Sequence, residues 1–507
     1  MSQAAPPDLT RDSALGGAVG ATPRRARAAR YRGQALTAAS VVVLTAALWV
    51  LYGPAHLGYD PTWALGWGGE LASGHLPRLD ASPAAPTPHP LANALGAVLS
   101  PLGEDAAPIV FSLVVFASFA ALGLVCADIG TRLFALPVGA LFALLVLTRL
   151  HLVHEALISS TDVAFVALAL GAVLLVAVAP QRGWAPLGLL AAAGLLRPEA
   201  WGFALLYGAY LIFAARPRRR LALGGLALTG PVVWMLVDLL ITGNPLFSLQ
   251  GTQDLAAQLN RPTGLALAVT TLPDRLDTVV GQPTLWLGLA GWAVALWARF
   301  ERAWLPSLVV VLGFGGYLVL GLAELPLLSR YLVLPGAVLM LFAAVLVFGW
   351  AGLERGRVRD VWCVGSLVPL AIIAITVPDQ VRELRDDSLK SAASRAAQTD
   401  LEELVASPGA RRELSRCEPV RVPDFRVRPL VWYWAGVRPE AIQSGFVGNG
   451  DRGTYVTPQA GPGVVRLAAR TAFYKESGVP HRLLAAPPGA RVAASSEAWR
   501  LDVIGCG

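Results

Sequence analysis

The chain has 507 residues, 55% hydrophobic and only 15% charged, with a formal net charge of +7. A soluble domain carries about a quarter charged residues, so an ordinary soluble enzyme is excluded. Nucleic acid is excluded as the basic balance's target, because most arginines lie in short runs between apolar segments, as the positive-inside rule places them in cytoplasmic loops. Residues 1–34 read as a disordered basic cytoplasmic tail, polar and Ala/Pro/Gly-rich at first, then carrying Arg24, Arg25, Arg27, Arg30 and Arg32.

A membrane helix needs about 20 mostly apolar residues. The runs that qualify are 35–52, 107–127, 133–148, 162–179, 221–242, 284–298, 304–323, 331–350 and 361–377. The first is followed by no convincing processing site and reads as a retained anchor rather than a signal peptide. Two shorter runs, 186–196 and 200–215, flank Arg197-Pro198-Glu199 and read as paired short helices meeting near the outer side. One span kinked at Pro198 is the alternative, since proline breaks the helical hydrogen-bond ladder. The paired reading gives roughly eleven spans. It also puts Arg132, Arg182, Arg216, Arg218 to Arg220, Arg299, Arg302, Arg355, Arg357 and Arg359 on the cytoplasmic side with the N-terminus. The expected protein is therefore a multi-pass α-helical membrane domain over 35–378 of the cell membrane. A small extracytoplasmic α/β or α+β domain follows over 379–507.

Three segments face outward on this reading. The first runs from Tyr52 to about Asp105 and contains Gly58-Tyr59-Asp60. Pro61 to Ser73 then predicts an amphipathic helix with Asp60 as N-cap and Pro61 in its first turn. Trp63 and Trp67 suit an interfacial position, where indole rings prefer to lie. The second segment, Gly243 to Pro283, opens on a Gly243-Asn244-Pro245 turn and holds a polar helix around Asp254–Leu259. In the C-terminal segment Asp379–Val405 predicts a charged helix, and runs such as Val420-Arg421-Val422 and Arg491-Val492-Ala493 predict short strands. Cys126 and Cys363 fall in spans. Cys417 and Cys506 flank the C-terminal fold, where oxidation is permitted, and are expected to form a disulfide worth about 4 kcal/mol in the chain-entropy model.

Several polar residues stand out against this background. Asp60, just past the first span, is placed either to act as general base on a hydroxyl or to cap its helix. Glu155 and Asp162, seven apart, share one face if their segment is helical, and His151 and His154 nearby would suit a metal. A solvated loop with a cap at Thr161 or Asp162 is the alternative, and no spacing here matches a strong metal motif. Arg197 and Glu199 interrupt apolar sequence, so they pair with each other or hold an anion. Arg330-Tyr331 at the outer end of a span offers a fork for phosphate or an interfacial anchor. His89 lies in the rigid turn Pro86-Thr87-Pro88-His89-Pro90.

In order, these features resemble the GT-C superfamily of membrane glycosyltransferases, near the protein mannosyltransferases and aminoarabinose transferases. The first outer loop carries the likeness: Gly58-Tyr59-Asp60, then Leu71-Ala72-Ser73-Gly74-His75-Leu76-Pro77, then Pro86 to Leu91. The family's Lys/His-Pro-Pro element is matched in part, with Leu91 in place of the second proline. Leu196 to Glu199 and Ser329 to Pro335 are similar to further elements of these enzymes. The resemblance implies a polyprenyl-phosphate sugar donor, a glycan, lipid or protein acceptor in the envelope, and inversion with Asp60 as base. It implies that Arg330 and Arg197 bind the phosphate while Glu155 and Asp162 orient sugar hydroxyls or a divalent cation. A flippase for lipid-linked substrates and a non-catalytic envelope assembly protein are the rival readings.

Overall fold

Leu-, Val- and Ala-rich runs fold as helices here because a helix satisfies its own backbone donors, which an apolar surrounding demands. The computed structural model describes residues 23–79, 87–181, 183–214, 217–258, 261–444, 451–459 and 485–506. Residues 1–22 of the tail, Pro86, Arg182, Arg216 and Leu259 lie outside the described residues. The first membrane-length helix, α1 (Pro23–Tyr52), is followed by α2 (Tyr59–Ala72), α3 (Pro90–Leu99) and α4 (Gly103–Leu133). Next come α5 (Leu136–Leu147), α6 (Leu150–Leu157), α7 (Asp162–Val178), α8 (Trp184–Leu196) and α9 (Glu199–Ala214). The chain continues through α10 (Pro217–Ala227), α11 (Thr229–Thr242), α12 (Phe247–Gln258), α13 (Leu265–Val280) and α14 (Thr284–Leu322). α15 (Val333–Phe348), α16 (Arg357–Gly365) and α17 (Leu367–Ala406) complete the long helices.

Among the described residues, five stretches are long and apolar enough to cross a membrane: Gln34–Tyr52, Pro90–Leu133, Thr284–Leu322, Ser329–Gly352 and Arg357–Ala406. Two bent pairs raise this to seven if each is one span, α5 with α6 at 54° and Arg219–Ala227 with α11 at 57°. Three shorter apolar helices are found among the described residues, α7 and the expected pair α8 and α9. The pair parts at Arg197, extended at φ −149° and ψ 128°, the conformation a following proline imposes. The runs 284–298 and 304–323 are the two arms of α14, broken at Arg299, where φ is −148° and ψ 42°. α15 lies at the centre, buried on nearly all sides, as suits a helix with no polar face.

α17 runs for 40 residues through Pro378, so the expected domain boundary lies inside one continuous helix. Beyond it, α18 (Pro408–Arg416) and α19 (Val427–Ala435) pack with a five-stranded sheet. Its strands are β1 (Val420–Val422), β2 (Ile442–Ser444), β3 (Gly453–Pro458), β4 (Arg491–Ser495) and β5 (Trp499–Ile504), in spatial order β2-β1-β3-β5-β4. β1 is parallel to β2 and β3, while β5 is antiparallel to β3 and β4. A disulfide joins Cys417, before β1, to Cys506, after β5.

The indoles of α2 depart from expectation. Trp63 and Trp67 are buried in the core of the C-terminal domain with Leu401, Val431 and Trp432, rather than lying at a membrane interface. The ring centroids of Trp63 and Trp432 are 4.9 Å apart. α2 fits so closely because Gly66 has no side chain, and a Cβ there would fall 2.4 Å from the Trp432 ring.

Candidate active site

Asp60 sits in the first turn of α2, but it is not the N-cap. Gly58 holds that place, and no side chain caps the helix. The Asp60 carboxylate instead accepts a hydrogen bond from Arg330 Nη1 at 2.7 Å, because a charge-assisted bond outcompetes a cap. The chain approaches Asp60 through His56–Gly58, whose end amides donate to the carbonyls of Leu157 and Ile158, both at 2.9 Å. Only glycine fits at position 58, since a Cβ would stand 2.7 Å from the Ile158 oxygen.

Two further glycines set α2 on α3. A Cβ on Gly68 would lie 2.3 Å from Ala97 N, and one on Gly96 2.3 Å from the Ala64 oxygen. That crossing seats His89, the residue before α3, within electrostatic reach of Asp60. Gly68→Ala is therefore expected to overpack the crossing and cost about 1–3 kcal/mol. The loss is read as a lower thermal midpoint in detergent, and an unchanged midpoint would show that the crossing has slack.

A second ion pair lies beside the first. Arg197, buried at the α8–α9 break, donates from Nη2 to Asp162 Oδ2, and its Nη1 stands 3.8 Å from Glu199. Asp162 opens α7 as a counter-ion, with no side-chain cap on that helix. The Tyr331 ring bridges the two arginines, its centroid 5.5 Å from the Arg197 guanidinium carbon and 5.9 Å from that of Arg330. His89 meets Trp234 edge to face at 5.7 Å.

The electrostatics separate the two titrating groups next to each other. Burial alone would raise the Asp60 carboxyl, but Arg330, then His89 and Arg197, hold it below the usual carboxylate range. Burial drives His89 down to about 4, with Arg197 and Arg330 adding to it and Asp60 and Asp162 opposing. At neutral pH the site thus pairs an ionised carboxylate with a neutral imidazole. Four buried polar atoms here make no hydrogen bond among the described residues: His89 Nδ1, Arg330 Nε and both Glu199 carboxylate oxygens. Native interiors satisfy the large majority of such atoms, so their clustering suits a ligand that brings hydroxyls and anionic oxygens.

Seven of the residues singled out from sequence therefore converge: Asp60, His89, Asp162, Arg197, Glu199, Arg330 and Tyr331. Glu155 does not join them. The segment is not one helix: it breaks between α6 and α7, where Ser159 takes a φ of 56°, so the condition for a shared face fails and Glu155 and Asp162 share none. Glu155 lies 3.9 Å from His151, and His154 pairs with Asp387 of α17 at 3.0 Å. Among the described residues no three of His, Cys, Asp and Glu gather as a metal-ligand group. Sequence reading missed Arg261, whose charge acts on the same cluster; its one signal was a basic residue in a long polar loop. It also missed buried Asp238, which stands out as an ionisable residue in an apolar run. Asp238 accepts hydrogen bonds from Ser248 N at 2.8 Å and Oγ at 2.7 Å, a structural role.

No family model and no curated protein matches this sequence. Solved structures do resemble it. ArnT from Cupriavidus metallidurans bound to undecaprenyl phosphate superposes with a TM-score of 0.53 at 14% identity, covering 91% of this chain and 97% of that one. The apo state of the same enzyme gives 0.50 at 15% identity, over 94% and 98%. The oligosaccharyltransferase AglB from Archaeoglobus fulgidus, in complex with an inhibitory peptide and a dolichol-phosphate, gives 0.48 at 12% identity, over 80% and 64%. At such identities the likeness to ArnT establishes the fold, which is GT-C-like and that of a membrane protein.

Proposed function

We propose that this GT-C-like chain is an inverting glycosyltransferase that moves a sugar from a polyprenyl phosphate to an envelope acceptor hydroxyl on the extracytoplasmic face. The observation that carries the reading is the half-buried pair of Asp60 and Arg330, flanked by buried Arg197, with unsatisfied polar atoms around it. The undecaprenyl phosphate bound in the ArnT structure supports the choice of donor. The basic clusters between apolar helices support an N-terminus in the cytoplasm and a C-terminal domain outside.

In this mechanism Asp60 takes the proton of the acceptor hydroxyl. The resulting oxygen attacks the anomeric carbon as the bond from that carbon to the phosphate oxygen breaks. Configuration inverts, and the lipid phosphate leaves with its bonding pair, stabilised by Arg330 and Arg197. The pairing of Asp60 with Arg330 is consistent with this. A donor phosphate seated on Arg330 competes for the guanidinium and adds negative charge nearby, and both effects raise the proton affinity of Asp60. Neutral His89 and Glu199 are left to bind sugar hydroxyls. A divalent cation is not required by these steps.

The test is incubation of membranes carrying the protein with a panel of labelled polyprenyl-phosphate sugars, with product identified by mass. Transfer from one donor is the expected result. No transfer from any donor, with lipid moved between leaflets instead, would replace the reading with a flippase.

A further inference from the structure

α17 carries a polar stripe on a buried face. Asp387, Ser391, Ser394 and Gln398 are 9%, 2%, 3% and 5% exposed, and steps of four, three and four put them in one line along a helix. Buried polar groups are costly unless bonded. Three of these reach outside their own helix. Asp387 meets His154, Ser391 Oγ lies 2.9 Å from His56 Nδ1, and Gln398 engages both backbone groups of Leu57. The Leu57 N–H donates to Gln398 Oε1 at 3.2 Å, and Gln398 Nε2 donates to the Leu57 carbonyl at 2.6 Å. Ser394 bonds back to Lys390 O in its own helix.

The segment His56–Gly58 is thus gripped on two sides, by the carbonyls of Leu157 and Ile158 and by one side-chain amide. Asp60 follows three residues after Leu57. The same helix is tied to the sheet. Trp499 Nε1 donates to Ala397 O at 2.8 Å, and Asp400 accepts from Ala498 N at 2.8 Å and Ser496 Oγ at 2.6 Å.

We propose that Gln398 is a positioning residue, which fixes the Asp60-bearing segment to α17 and so to the C-terminal sheet. The catalytic consequence rests on the transferase reading above; the clamp itself does not. An amide is the side chain that fits. Leucine would leave the buried Leu57 N–H and C=O without partners, and a glutamate carboxylate would set lone pairs against the Leu57 carbonyl. A protonated glutamic acid, by contrast, has one donor and one acceptor and reproduces the amide's pattern.

The experiment uses the full chain in lipid nanodiscs with Gln398→Leu, Gln398→Glu and Ser394→Ala. Amide hydrogen exchange of the peptide containing Leu57 and Gly58 is followed together with kcat and the donor KM. Gln398→Leu is expected to speed exchange there about tenfold, and to lower kcat about 10- to 100-fold with donor KM nearly unchanged. Gln398→Glu is expected to recover relative to wild type at the same pH as pH falls from 8 toward 5.5, since burial raises its carboxyl. Ser394→Ala is expected to change nothing. Unaltered exchange in Gln398→Leu overturns the proposal, as does faster exchange with full kcat, or a ratio for Gln398→Glu that stays flat with pH. If Gln398→Leu does not fold, the exchange of Gln398→Glu against pH decides. If the wild type transfers no sugar, the transferase reading fails, and exchange alone upholds or removes the clamp.

Discussion

Asp60→Asn is expected to lower turnover by about 10²- to 10⁴-fold, the range over which a positioned general base contributes. The amide keeps the shape of the carboxylate and can still accept from Arg330, so the site should stay assembled. What it loses is the capacity to take a proton from the acceptor. The measurement is kcat with a labelled polyprenyl-phosphate sugar, with thermal unfolding as the control on folding. Turnover within about threefold of wild type would remove Asp60 as base.

Arg330→Gln should have two separable effects. Loss of a charge aimed at the leaving phosphate is expected to reduce kcat by about 10²- to 10³-fold. It should also move the acid limb of the pH profile. In the wild type burial pushes the Asp60 carboxyl up, but Arg330 and the neighbouring cations hold it below the usual range. The base is then ionised across the working range, and kcat/KM should hold level on the acid side until the pH drops below the usual carboxylate range. Without Arg330 the largest opposing charge is gone and burial is less contested. The limb should therefore rise toward neutral pH. A profile from pH 4 to 8 on both proteins checks this, and coincident limbs would show that Arg330 does not set the protonation of Asp60.

Local chemistry was legible in the sequence. The break at Arg197 follows from the proline after it, the strands β1 and β4 from their valine-bearing runs, and the membrane-length part of α1, Gln34–Tyr52, from its apolar run, whereas the helix itself starts at Pro23, within the tail expected to be disordered. So was the membership of most of the site, because charges in apolar sequence are costly and therefore conspicuous. What was not legible was partnership. Asp60 and Arg330 are 270 residues apart, and nothing local says that an arginine rather than a backbone amide will claim the carboxylate. Spacing left open whether Glu155 and Asp162 share one helix face or flank a loop, because the turn at Ser159 is bonded to His56 and Ser112, which come from elsewhere in the chain. The two arms of α14 read as separate runs, and only the break at Arg299 shows how they join.

The burial of Trp63 and Trp67 also bears on how the protein is made. Both indoles lie early in the chain, while Val431 and Trp432, which cover them, come close to its end. At about 5 to 20 residues per second, the ribosome adds the covering helix on the order of 20 to 70 s after α2 emerges. Through that interval the half-built protein presents two aromatic rings without the helix that covers them in the folded chain. A chain that stops short of α19 would leave Trp63 and Trp67 without the Val431 and Trp432 that cover them, and the helix that carries Asp60 would lose one of its packing faces.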